Sequence, residues 1–218
     1  MKNHLSHHFF FLCIGITLFI LIVITFSLSV RKNEAKITIP DASSEQNRAF
    51  FLAAKKQIDV VTSYDFWNGY YGDGGFPPEN TGVCSDVIWR AFGETGQDFK
   101  AQIEQDIQKN PSAYTSADDT NINFRRVKNI DIFLKHRAQT LENIIIPWNI
   151  ENLIQWQTGD IVIFDELPEN HLWHIGIISD IRRGDGVPYM LDNHGKWVWM
   201  TMTPLDWPTN VIGHYRYF

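Results

Sequence analysis

The sequence predicts an α+β fold, with helices followed by a mainly antiparallel sheet of about five strands and one membrane-length segment ahead of both. Three observations carry this. Residues 9–30 hold no charge. Apolar residues recur at helical spacing between about 45 and 136. After Pro147 the pattern changes to short β-branched and aromatic runs separated by turn residues.

The uncharged run, Phe9 to Val30, is 22 residues long. As a helix it would span about 33 Å, enough for a bilayer core. It exceeds the ~7–15 residues of an ordinary signal-peptide core. Residues 1–32 therefore read as an uncleaved signal-anchor, with a cleaved signal peptide as the competitor. Basic residues on both flanks leave the orientation open. Cys13 lies within the run and reads as a small apolar residue. Residues 33–45 are polar, with Pro40 and two serines, and read as a linker. Residues 46–218 form the domain.

Within the domain, Phe50, Phe51, Ala54, Ile58 and Val61 predict a helix over 45–63. A loop rich in Gly, Pro, Asn and Tyr runs to Thr81. Helices follow at 83–92, stopped by Gly93, at 99–108, with Ile103 and Ile107 four apart, and at 127–136. A polar loop at 110–123 holds Pro111 and the pair Asp118-Asp119. The expected strands are 160–165, 173–180, 189–193, 197–202 and 211–217, with turns at Gly184-Asp185-Gly186 and Gly195.

Composition narrows function. The chain is 44% hydrophobic and 20% charged, which excludes disordered and collagen-like classes. Its net charge is −6, and residues 1–33 hold none of the acidic residues. The domain is therefore more acidic still, which argues against a nucleic-acid partner. Its single cysteine, Cys84, excludes an internal disulfide.

Cys84 falls in the first turn of the 83–92 helix, after Thr81-Gly82-Val83. Free N–H groups and the helix dipole favour a thiolate there, and the same groups can stabilise an oxyanion. A buried structural cysteine is the bland alternative. A thiolate nucleophile needs an imidazole partner. His174 opens a predicted strand, so its ring sits at a sheet edge. His136 lies in a basic, exposed stretch, and His214 reads as a packed strand residue. His171-x-x-His174 could ligate a metal, but no second ligand cluster appears, so no metal or other cofactor is expected.

These residues, in this order, resemble a bacterial family catalogued as domain of unknown function 1287. That family looks like a branch of the NlpC-type, papain-like cell-wall cysteine peptidases. The resemblance rests on Gly82-Val-Cys-Ser-Asp-Val-Ile-Trp-Arg-Ala91, Asn121-Ile-Asn-Phe-Arg-Arg-Val127, Gly159-Asp-Ile-Val162, His174-Ile-Gly-Ile-Ile-Ser-Asp180, Asp192-Asn193 with Gly195, and Gly213-His-Tyr-Arg-Tyr217. It implies a papain-like, NlpC-like core and a Cys–His–polar triad that cleaves amide bonds of peptidoglycan peptides outside the cytoplasm. Cys84 matches the nucleophile and His174 the base. The third member points to Asp192, where the family pattern leads one to expect a histidine; Asn193 and His194 stand beside it.

If 189–194 is extended, Asp192 and His194 share a face and Asn193 points away. Tyr64 matches an upstream tyrosine that lines the substrate site, with packing of the loop as the alternative. Arg125 and Arg126 are candidates to hold a substrate carboxylate; ion pairing with Asp118, Asp119 or Asp131 is the plainer reading. Asp86 reads as a cap or loop anchor that opposes thiolate formation. Two other functions fit the same residues: a non-catalytic envelope binding module, and an acyltransferase using the Cys/His pair.

Overall fold

The computed structural model describes residues 36–167, 173–195 and 198–218. The predicted membrane-length segment and His171 lie outside the described residues. Among the described residues no helix is long and apolar enough to cross a membrane. The unit from Ile37 to Phe218 contains five α-helices and one large sheet among its described residues.

Helix α1 (Glu45–Lys55) starts where Ser44 accepts a hydrogen bond from the Asn47 N–H at 3.0 Å. It buries Phe50, Phe51 and Ala54. It ends eight residues before the sequence led us to expect, and Asp59 adopts a left-handed φ of 66° in the turns that follow. Helices α2 (Cys84–Glu94), α3 (Phe99–Lys109) and α4 (Val127–Arg137) match their predicted positions within two residues. A fifth, short helix, α5 (Ile150–Leu153), is capped by Asn149. Two short strands, β1 (Ser63–Tyr64) and β2 (Thr81–Gly82), pair in parallel inside the predicted loop and at its end.

The sheet has six strands rather than five. β4 (Ile161–Phe164), β5 (His174–Arg182), β6 (Pro188–Asn193), β7 (Val198–Met202) and β8 (Val211–Arg216) correspond to the predicted runs. The added strand, β3 (Gln139–Thr140), is two polar residues paired with the end of β8. Nothing in so short a polar stretch marks a strand; only the partner makes it one. The order is β3-β8-β4-β5-β6-β7, antiparallel throughout.

Register divides the core in two. Ile161 pairs with Ile177 and Ile163 with Ile175, so these four face the helices, where Phe50, Phe92, Phe99 and Phe133 pack. Val162, Phe164, Ile178 and Met190 face the other side, under Leu153 and Trp156. Burial on both faces explains why β4 reads as a continuous apolar run rather than an alternating one. Gly159 precedes β4 at φ 88°, where a Cβ would lie 2.2 Å from the Asn47 carbonyl oxygen. Only glycine allows α1 and the entrance to β4 to meet so closely.

Part of the expected linker is laid on the domain instead. Ile37 donates its N–H to Gly184 O at 3.0 Å, Ile39 is buried in the second core, and Ala42 donates to Gln157. Alternating polar and apolar residues hid this, because the apolar ones find their partners more than a hundred residues away.

Asp106 on α3 is buried and hydrogen-bonded to Tyr114 and His136, with Arg137 nearby. Burial opposes its ionisation, but these partners hold its carboxyl below the ordinary range. A depressed carboxyl contributes stability above its unfolded pKa and loses that contribution as pH falls through the folded value. Asp106→Asn should therefore lower the thermal midpoint at pH 7. The gap to wild type should narrow below about pH 4. A constant gap from pH 7 to pH 3 would contradict this origin.

Candidate active site

Cys84 is the first residue of α2, and the loop before it is locked from three sides. Pairing of β1 with β2 sets Tyr64 opposite Gly82. Arg90 Nη2, nearly two turns into α2, donates to Thr81 O at 2.7 Å and to Pro78 O at 2.9 Å. Asn193, at the end of β6, donates to Gly82 O at 3.2 Å. Val83 offers no side-chain cap, so Asp86 substitutes, accepting from the Val83 N–H at 2.8 Å. Asp86 is thus the anchor expected from its position.

Asp86 has a second partner. Arg125 reaches it with two parallel hydrogen bonds, Nε to Oδ1 at 2.8 Å and Nη2 to Oδ2 at 2.9 Å. Both side chains are buried. This corrects the expectation that Arg125 pairs with Asp118, Asp119 or Asp131: its fork is occupied by Asp86, and its remaining amine donates to Asn68 O. Arg126 does pair with Asp118 and also meets Ser116 O. Only the fold brings Asp86 and Arg125, 39 positions apart, into one buried pair.

His174 opens β5 opposite Phe164. Its Nε2 lies 2.7 Å from Asp192 Oδ2 on β6. The ring stacks on Trp207 at 3.8 Å between centroids and 8° between planes. Trp207 ends the short turn Pro204–Asp206, which Thr203 and Asp206 close by mutual hydrogen bonds. The indole was not legible as a site residue, since nothing near it in sequence touches the histidine. His194 Nδ1 lies 2.8 Å from the same Asp192 oxygen. Asp192 and His194 therefore share a side, and Asn193 turns the other way, as alternation predicts.

Asp192 is buried, which by itself would raise its carboxyl. Hydrogen bonds from His174 and His194 outweigh this and hold it below the ordinary range. An ionised carboxylate only accepts, so His174 carries its proton on Nε2 and has its lone pair on Nδ1. Burial lowers the pKa of His174, against the opposing pull of Asp192. Burial thus favours the neutral imidazole.

Cys84 approaches β5 one residue after the histidine, near enough for the Ile175 N–H to favour the thiolate. Burial nevertheless pushes the thiol up to about 12, with Asp86 and Asp192 adding to the rise. This corrects the expectation of a ready-made thiolate. The backbone donors of Ile175 and Ser85 pull the pKa down but do not overcome desolvation.

Cys84 opens into a cavity of about 420 Å³ that Arg125, Arg126 and Lys128 also line. A second, of about 390 Å³, is lined by His174, His194 and Trp207. Tyr64, Phe66 and Trp173 line both. Burial and the nearby Cys84, Asp86 and Asp192 raise the Tyr64 phenol, so it stays protonated and can donate. Of the remaining histidines, His214 is a packed strand residue, stacked on Trp156 and held by Asp160 and the Glu142 carbonyl. His136 serves Asp106. Among the described residues no cluster suits a metal ion.

Fold and site together define an α+β protein with a buried thiol at a helix start and a histidine–carboxylate pair at the facing strand ends. The chain belongs to the family described as Domain of unknown function (DUF1287), whose model matches residues 51–217. It is 30% identical over 198 residues to the Uncharacterized protein YijF of Escherichia coli (strain K12), covering 88% of this chain and 92% of that one. Among solved structures it is similar to an N-acetylmuramoyl-L-alanine amidase from Bacteroides uniformis ATCC 8492. There the identity is 10% and the TM-score 0.45, covering 79% of this chain and 98% of that chain.

Proposed function

We propose that this protein is a cysteine amidase or peptidase that hydrolyses amide bonds of peptidoglycan peptides through Cys84, His174 and Asp192. One observation carries the reading: His174 Nε2 is fixed by Asp192 at 2.7 Å at the start of β5. That arrangement supports the reading by giving the base a defined tautomer at the start of the strand that the Cys84 loop approaches.

In the proposed reaction the resting pair is neutral. His174 Nδ1 takes the Cys84 proton as the sulfur attacks the amide carbon. Asp192 stabilises the imidazolium formed, and N–H groups at the start of α2 meet the developing oxyanion. The imidazolium then gives its proton to the leaving amine as the C–N bond breaks. Water, deprotonated by the same imidazole, adds to the thioester carbonyl; thiolate departure releases the acid and is followed by return of the proton to sulfur. Tyr64 and Arg126 line the cavity into which Cys84 opens and would face the acyl group there, and Arg125 acts through Asp86 on the loop that carries Cys84. The substrate class rests on the resemblance to NlpC-type peptidases, and a location in the cell envelope on the apolar run at 9–30.

A non-catalytic binding module on the same fold is the second reading. The observation that favours it is the thiol raised by burial. Iodoacetamide labelling, read at the Cys84 peptide by mass spectrometry, separates the two. A reactive thiol near pH 7, with new muropeptides from purified peptidoglycan, supports hydrolysis. An inert Cys84 and unchanged muropeptides support binding. A labelled thiol that yields transfer products instead of new termini would identify an acyltransferase.

A further inference from the structure

His194 has no part in the steps above, yet it shares their carboxylate. Its Nδ1 and His174 Nε2 meet the same Asp192 oxygen, at 2.8 and 2.7 Å. The other oxygen, Oδ1, is buried and has no hydrogen-bond partner among the described residues. Both imidazoles therefore draw on one acceptor atom, so their protonation states are coupled through it. Their surroundings differ. The His174 side chain is 5% exposed, whereas that of His194 is 29% exposed and faces the second cavity. His194 is the imidazole of the two with open access to solvent protons.

We propose that His194 is a positioning residue for Asp192, and that its protonation sets the acid limit of Cys84 reactivity by neutralising the charge on which His174 depends. The proposal rests on the thiol-hydrolase reading. When His194 is neutral, its Nδ1–H holds Asp192 in place and the full carboxylate charge supports an imidazolium at His174. When His194 gains a second proton, Asp192 becomes half of a neutral pair. The His174 imidazolium, and with it the thiolate, then loses its counter-charge.

The order of protonation supports this. The hydrogen bond from Asp192 raises His194 above the ordinary histidine range, while burial lowers His174. As pH falls, His194 takes the proton first. The groups facing it are Asp192 on β6, His174 on β5, and Asp65 and Tyr64 across the cavity. Trp207 presents only its uncharged ring, 5.9 Å away. Asp65 is already engaged by Tyr70 and the Asn68 N–H.

The test uses the full chain with Cys13→Ser, so that Cys84 is the only thiol. The rate of alkylation by iodoacetamide is measured from pH 4 to 9 in this background and in His194→Asn and His194→Ala. Asn keeps a donor at the position of Nδ1 but cannot become a cation. In His194→Asn the acid midpoint should fall by about one pH unit, with the plateau rate retained. In His194→Ala the midpoint should fall likewise, with a lower plateau because Asp192 loses its second anchor. Midpoints in both variants that coincide with the parent would overturn the role of His194 and leave the hydrolase reading standing. A parent thiol inert at every pH would instead remove the hydrolase reading and this inference with it.

Discussion

Cys84→Ala should abolish hydrolysis, by on the order of 10³-fold or more, while leaving the domain folded. His174→Ala should do the same, and the double variant should be no slower than either single one. Thiol and imidazole act in one proton transfer, so removing the second costs nothing once the first is gone. The fold should survive both changes for separate reasons. Losing the small Cys84 side chain from the core costs about 1 kcal/mol or less. Removing His174 leaves Asp192 with the hydrogen bond from His194. Product formation from peptidoglycan and the far-ultraviolet dichroism of each variant are the measurements. Activity retained in Cys84→Ala would end the cysteine-enzyme reading.

Asp86→Ala is expected to have the largest effect on stability. Arg125 and Asp86 form a buried bidentate pair, and Asp86 also caps the helix that carries the nucleophile. Removing the carboxylate strands a buried guanidinium and frees the Val83 N–H. Broken buried pairs of this kind cost about 3–5 kcal/mol. Replacing both partners, Asp86→Ala with Arg125→Met, should recover a substantial part, because no unpaired charge then remains. Urea unfolding of the two single variants and the double one closes the cycle. Additive losses would mean that the pair is not coupled. The same cycle bears on the site, because a loosened loop should also reduce Cys84 labelling selectivity.

Legibility in the sequence followed the range of the forces involved. Helices α2 to α4 were legible because helical period acts over a few residues, although α2 continues through Gly93, expected to stop it, to Glu94. The strands from β4 onward were legible from β-branched runs and turns. β3 was not, since a strand of two polar residues exists only through its partner β8. In the site, alternation along β6 placed Asp192 and His194 on one side and Asn193 on the other, and the pleat enforces that locally.

By itself the sequence determined the succession of helices and then strands, the domain's single cysteine at a helix start and the histidine at a strand start. Local propensity and the periods of 3.6 and 2 act through neighbouring residues, and they suffice for those statements. The tertiary structure alone decided which charges meet. It took Arg125 to Asp86, laid Trp207 on His174, and joined two imidazoles to a single Asp192 oxygen. It also decided the resting state of the nucleophile. A helix start favours a thiolate through its nearby N–H groups, but the depth at which Cys84 is buried depends on the sheet packed over it, and desolvation there is the larger effect.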